Sequence, residues 1–174
     1  MISILTSVPS DAIDTLDWHA ATFIASGCSG VVYEVLPGVV AKVSPRIAPS
    51  EAGIQVLLAQ EGLALPVVTY AQGVWLPLAI RRAACSPHGV RRWSGSHCTC
   101  QQAADVLLMP KASRICTDDE LEDNDELTVL AERVGPVCWS TAHHLWDCHA
   151  GNIAVYQSRY VALDFGDVSG TMRF

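Results

Sequence analysis

Nowhere does the chain carry an unbroken apolar stretch of the roughly 18 residues that a membrane-spanning helix needs, so no bilayer span is expected. The opening run Met1-Ile-Ser-Ile-Leu-Thr-Ser-Val has no positive charge ahead of its apolar residues. It therefore reads as a first strand rather than a secretory signal. A disulfide framework is missing too. Seven cysteines is an odd number, their spacing fits no framework, and a reducing cytoplasm is the expected setting. Internal repeats and low-complexity tracts are absent. What remains is 174 residues, half of them apolar, enough for one core or for two small lobes that share a cleft.

The net charge of -7 is local. Asp118, Asp119, Glu120, Glu122, Asp123, Asp125 and Glu126 put seven acids into nine positions, and without them the chain is neutral. A solvated helix face is the simplest meaning, with a partner surface second. Arg81, Arg82, Arg91 and Arg92 gather four of the eleven basic residues in one short stretch, which could meet phosphate groups but reads more simply as an exposed insert, so nucleic acid is not the expected partner. Cys85, His88, His97, Cys98 and Cys100 lie in the same insert. Cys85, His88, Cys98 and Cys100 could hold zinc, but the tight Cys98-x-Cys100 pair favours ordinary reduced thiols. A mean hydropathy of +0.26 and the tryptophans Trp75, Trp93, Trp139 and Trp146 point to an apolar interface, of a homo-oligomer or with a protein partner.

Along the chain, Ser10 after Pro9 predicts a short helix to about residue 20. Strands follow over 22–25, 31–36 and 39–44, the last two joined by Pro37-Gly38. Pro49-Ser50 opens a helix with Ile54, Leu57 and Leu58 on one face, stopped by Gly62. Residues 66–71 and 74–80 read as a hairpin around Gln72-Gly73, residues 81–102 as an irregular insert, and 105–109 as a buried strand. Thr117-Asp-Asp-Glu120 has capping-box form, in which the Thr hydroxyl takes the amide three residues on while Glu120 reaches back. The helix that follows breaks near Asn124, buries Leu127, Leu130, Ala131 and Val134, and ends at Gly135-Pro136. Residues 153–156 and 160–163 form a last hairpin around Gln157-Ser158-Arg159.

The residues that carry chemistry come in a fixed order. Ala25-Ser-Gly27-Cys28-Ser29-Gly30-Val-Val32 is a glycine-rich turn between two strands. Glycines let backbone amides approach phosphate oxygens that a side chain would hold off, although an ordinary hairpin turn looks the same. Lys42 stands in an apolar strand, where an ammonium is costly unless paired or facing a cleft. Glu51, in the first turn of the next helix, is its expected partner, with Glu61 in reserve. Asp147 precedes Asn152 by five residues, and Asp164-Phe165-Gly166 follows twelve residues after Asn152.

Five such elements in this order resemble the protein-kinase-like superfamily over roughly residues 22–167. Asp147-Cys-His149-Ala-Gly-Asn152 is closer to the Asp-x-His-x-x-Asn of aminoglycoside and choline phosphotransferases than to the loop of Ser/Thr kinases. The resemblance implies an α+β, minimal two-lobe fold. Residues 1–112 would form an antiparallel sheet with one helix, the insert 81–102 and a hinge at 109–112. Residues 113–174 would form an abbreviated second lobe. It implies ATP held by Gly27, Cys28, Ser29, Gly30, Val32 and Ala41, with Met109 as gatekeeper and the Pro110 carbonyl and Ala112 amide bonding the base. Lys42 would hold phosphates, Glu51 would hold Lys42, Asp147 would act as base, and Asn152 and Asp164 would hold Mg2+.

Two departures stand out. Leu145-Trp146 replace the His-Arg that usually precede the catalytic Asp, and only eight residues follow Gly166. The acceptor side of the reaction is therefore left open. The expectation is an ATP- and magnesium-dependent phosphotransferase acting on a hydroxyl of a protein or small molecule. The rival is a truncated pseudokinase that binds nucleotide or docks on a partner.

Overall fold

The structure is a computed structural model that describes residues 10–27, 30–47, 49–85, 102–121, 124–142 and 146–165. The strand expected over residues 1–8 and the glycine Gly166 lie outside the described residues. The architecture is mixed α+β, built from two compact units.

The first unit takes residues 1–47 and 68–110. Its centre is an antiparallel five-stranded sheet of order β1-β2-β3-β5-β4, made from β1 (Thr22–Ser26), β2 (Val31–Leu36), β3 (Val39–Ser44), β4 (Thr69–Val74) and β5 (Ala104–Pro110). Pro37 and Gly38 (φ 76°) turn β2 into β3, a pairing of fixed and positive φ that suits a type II turn. One sheet face packs Val31, Val35, Ala41, Val43, Val106 and Leu108 against Ile13, Trp18, Ile80 and Ala84. The buried Asp105 carboxylate locks the loop after β3 to the far end of β4. Oδ2 accepts the Ile47 N–H at 2.8 Å and Oδ1 accepts the Gly73 N–H at 3.0 Å.

Two sequence expectations change here. The helix from Ser10 is a single 3-10 turn, Ser10–Ile13. The strand expected over 74–80 is instead α2 (Leu78–Cys85), while β4 runs through Gly73 to Val74 and pairs with β5 rather than with its own continuation. The cause is Pro77, which has no N–H for a ladder but whose carbonyl takes the N–H of both Ile80 and Arg81. Ile80 and Ala84, four apart, then bury one face of the helix.

The second unit takes residues 48–67 and 111–174. It joins α1 (Pro49–Gln60), β6 (Arg114–Ile115), α3 (Asp118–Leu121), α4 (Asp125–Ala142), β7 (Ile153–Tyr156) and β8 (Arg159–Ala162). The sequence boundary after residue 112 sits near the last join, but it grouped α1 with the first sheet. By contacts α1 belongs here, with Ile54 and Leu58 in a core shared with Leu127, Leu130, Val134, Cys138 and Ile153. Gly62 (φ 71°) ends the α1 turn as expected, with Leu63 N–H returning to the Leu58 carbonyl at 2.9 Å. Leu57, expected in the buried stripe, is exposed.

Helix α4 does not stop at Gly135-Pro136. It runs through Pro136 to Ala142, because Val134 and Cys138, both at 0% exposure, continue its buried stripe past the proline. The capping box forms by half. Glu120 accepts the Thr117 N–H at 2.9 Å, but the Thr117 hydroxyl donates to the Glu120 carboxylate rather than accepting an amide. Gln157 (φ 50°) and Ser158 (φ 63°) close the two-residue turn of the β7–β8 hairpin, as a type I′ turn requires.

Candidate functional site

The candidate residues fall into two groups, one in each unit. In the first unit the strand β3 decides where they point, because successive side chains alternate between sheet faces. Ala41 and Val43 enter the core with Val106 and Leu108, which sends Val40 and Lys42 to the opposite face. Lys42 pairs with Val32 on β2 and Leu107 on β5, and Val40 pairs with Met109. Val32, Val40, Lys42, Leu107 and Met109 therefore share one face, and Lys42 is buried there at 8% exposure.

This corrects one assignment. Ala41, expected to touch nucleotide, is fully buried on the other side of the sheet from Lys42. Val40, rather than Ala41, shares the Lys42 face and pairs with Met109. The period of two was the signal that could have shown it, since a residue next to Lys42 cannot share its face.

The glycine turn closes by the Gly27 N–H donating to the Gly30 carbonyl at 2.9 Å. Its two glycines differ. A Cβ on Gly30 would lie 2.4 Å from the Val43 carbonyl oxygen, so the close approach of β2 and β3 alone demands glycine there. A Cβ on Gly27 would meet nothing within 4 Å. Packing gives no reason for glycine at 27. Cys28 and Ser29 lie outside the described residues. Pro110 ends β5 opposite Val39, where it needs no donor, and Ala112 follows it, half-buried, in the second unit.

In the second unit, Glu51 sits in the first turn of α1 at 5% exposure. Gln55, one turn on, donates to the Leu65 carbonyl at 3.1 Å. Glu61, the reserve partner for Lys42, is exposed and pairs with Arg133 at 3.1 Å.

The loop before β7 is tightly built. The Asn152 side-chain amide donates to the Asp147 carbonyl at 2.9 Å. The Asn152 N–H donates to the His149 carbonyl at 2.8 Å, and the Leu163 N–H to the Asn152 carbonyl at 2.7 Å. The base of the hairpin thus sets Asn152 opposite Leu163, next to Asp164. Asp164 has φ 50°, a left-handed conformation rare outside glycine. Asn152 and Asp164 offer oxygen donors of the kind that Mg2+ prefers. Asp147 is half-exposed, with 53% of its side chain open to solvent.

Trp146 immediately precedes Asp147. It is buried in the second unit's core rather than on an interface; its indole donates to the Leu163 carbonyl at 3.0 Å and packs near Phe165. The sequence reading missed this anchor. Of the other interface tryptophans, Trp75 and Trp139 are exposed, Trp75 lying under the Arg81 guanidinium, and Trp93 lies outside the described residues.

Away from these groups, Glu120 accepts two short bonds from Arg114 (2.6 and 2.7 Å) and one from the Tyr160 hydroxyl at 2.9 Å. The Arg114 bonds, then the Thr117 amide, hold its carboxyl far below the usual range. Burial pushes the Cys138 thiol up to about 11. Cys148, beside Asp147, is exposed; desolvation and then the Asp147 charge raise its thiol. Among the described residues no group of three or more His, Cys, Asp or Glu side chains is arranged to hold a metal. Of the zinc candidates, Cys85 ends α2, while His88, His97, Cys98 and Cys100 lie outside the described residues. No described helix is long and apolar enough to cross a membrane.

No protein-family model matches the chain, and no curated protein matches it.

Proposed function

We propose that this chain is a minimal kinase-like phosphotransferase that moves the γ-phosphoryl of ATP to a hydroxyl. The observation that carries the reading is the loop around Asn152. One asparagine ties the carbonyl of Asp147 and the backbone ahead of Asp164 into a single turn, so the proposed base and both proposed metal ligands are positioned by one short segment. A buried lysine on the middle strand of a five-stranded antiparallel sheet, behind a glycine turn, supports it.

In this reading Lys42 binds phosphate oxygens and the Gly27 amide region lets them come close. Val32, Val40 and Met109 give the adenine an apolar surface. The Pro110 carbonyl and the Ala112 N–H supply one acceptor and one donor for its edge. Asn152 and Asp164 hold Mg2+, which when bound offsets the charge of the phosphates. Asp147 orients the acceptor hydroxyl and takes its proton.

A second reading, a pseudokinase that docks on a partner, is favoured by the exposed Trp75 and Trp139. One experiment separates the two. Mg-ATP should raise the melting temperature of the wild type and not that of Lys42→Ala or Asp164→Ala, and γ-labelled ATP should release label to water or an acceptor. Equal melting responses in all three proteins remove the nucleotide site. A melting response with no label released overturns the phosphotransferase reading in favour of a nucleotide-binding pseudokinase.

A further inference from the structure

We infer that His149 is a positioning residue for Asp147, and that Gly151 is glycine in order to seat the His149 ring. The inference rests on the phosphotransferase reading and deepens it. His149 begins the 3-10 turn Ala150–Asn152 with an extended backbone, and its Nδ1 accepts the Gly151 N–H at 3.1 Å. An imidazole nitrogen that accepts cannot carry a proton, so Nε2 bears the hydrogen. That Nε2 faces Asp147 Oδ2 at 3.6 Å. Catalytic bonds are often this long before substrate arrives and tighten in the complex.

Glycine at 151 leaves room for the ring in this position, and a larger residue would crowd it. A Cβ at position 151 would lie 2.9 Å from His149 Cε1 and 3.1 Å from Nδ1. Backbone and side chain thus fit one another around a single ring position. Once this contact tightens in the complex and the imidazole takes Oδ2, Asp147 presents Oδ1 to the acceptor. The acceptor O–H bond breaks, its proton passes to Oδ1, and the oxygen forms its bond to the γ-phosphorus as ADP departs. His149 neither gains nor loses a proton.

The test uses the full chain and Mg-ATP turnover to water. His149→Asn keeps a side-chain acceptor for the Gly151 N–H but cannot reach Asp147. It should melt as the wild type does, keep its KM for ATP and lose about tenfold or more in kcat, the scale on which orienting partners act. Gly151→Ala, which displaces the ring, should lose a similar factor, and the double variant should lose no more than either alone. Imidazole nitrogen shifts by NMR give a readout that needs no turnover. His149 should show the Nε2–H tautomer, and its Nε2 signal should move in Asp147→Asn. A wild-type kcat in His149→Asn, an Nδ1–H tautomer, or an Nε2 signal indifferent to Asp147→Asn each overturns the inference alone. Failure of the wild type to bind Mg-ATP overturns the phosphotransferase reading and this role with it.

Discussion

Gly27 and Gly30 stand three residues apart in one turn, and packing demands glycine at only the second. The Gly30→Ala methyl would meet the Val43 carbonyl at 2.4 Å, a backbone atom that cannot swing away. It should destabilise the protein by about 1–3 kcal/mol, the usual range for a forced overpacking, read as a lower melting temperature without ligand. Gly27→Ala meets open space. It should leave that temperature unchanged and diminish only the rise produced by Mg-ATP; a full ATP response would show that Gly27 has no part in phosphate binding. At this scale the sequence was informative about residue type and less so about direction. Lys42, Glu51, Asn152 and Asp164 were picked out by their chemistry and order. Ala41 was misplaced because adjacency in the chain was read as adjacency in space, whereas a strand separates neighbours. Trp146 was hidden because its role depends on the Leu163 carbonyl, seventeen residues on, which no local pattern reveals.

Helices show where local signals gave way to packing. Pro77 was taken for part of a strand, yet it starts α2, and Pro136 was taken for a terminator, yet α4 passes through it. Pro77 itself favours the helix whose face Ile80 and Ala84 bury, whereas at Pro136 the buried Val134 and Cys138 outweigh the proline. Pro136 is exposed and deprives the Glu132 carbonyl of its helical donor, so Pro136→Ala should raise stability by about 1–3 kcal/mol, seen as a higher melting temperature. A decrease would mean that the proline bend itself is needed for packing. The elements β6, α3 and β8 meet at Glu120, bonded by Arg114, Thr117 and Tyr160. Because its pKa is depressed in the folded state, its contribution is present above the unfolded value near 4.5 and fades as pH falls below it. Glu120→Gln should therefore be less stable than wild type at neutral pH, and the difference should shrink on acidification below about pH 4.5. A gap constant with pH would rule out the charge as its source.

At the scale of the whole molecule, the α+β class, the antiparallel character of the first sheet and the last hairpin were all legible, because alternation and turn residues are local. The grouping of elements was not, since α1 gives its apolar face to α4 through contacts long in sequence. The chain passes from one unit to the other at residues 47–48, 67–68 and 110–111. Neither body is thus a single stretch of polypeptide. A fragment cut at the apparent boundary, 113–174, would leave behind Ile54, Leu58, Leu63 and Ala64, four walls of its own interior. Such a fragment should be molten by near-ultraviolet dichroism, and adding a synthetic peptide of residues 48–67 should restore its fixed signal. A fragment that orders without the peptide would show that α1 is dispensable there. Translation imposes the same arithmetic: the ribosome delivers this interior in two instalments, and the first must wait, uncovered, until the second emerges.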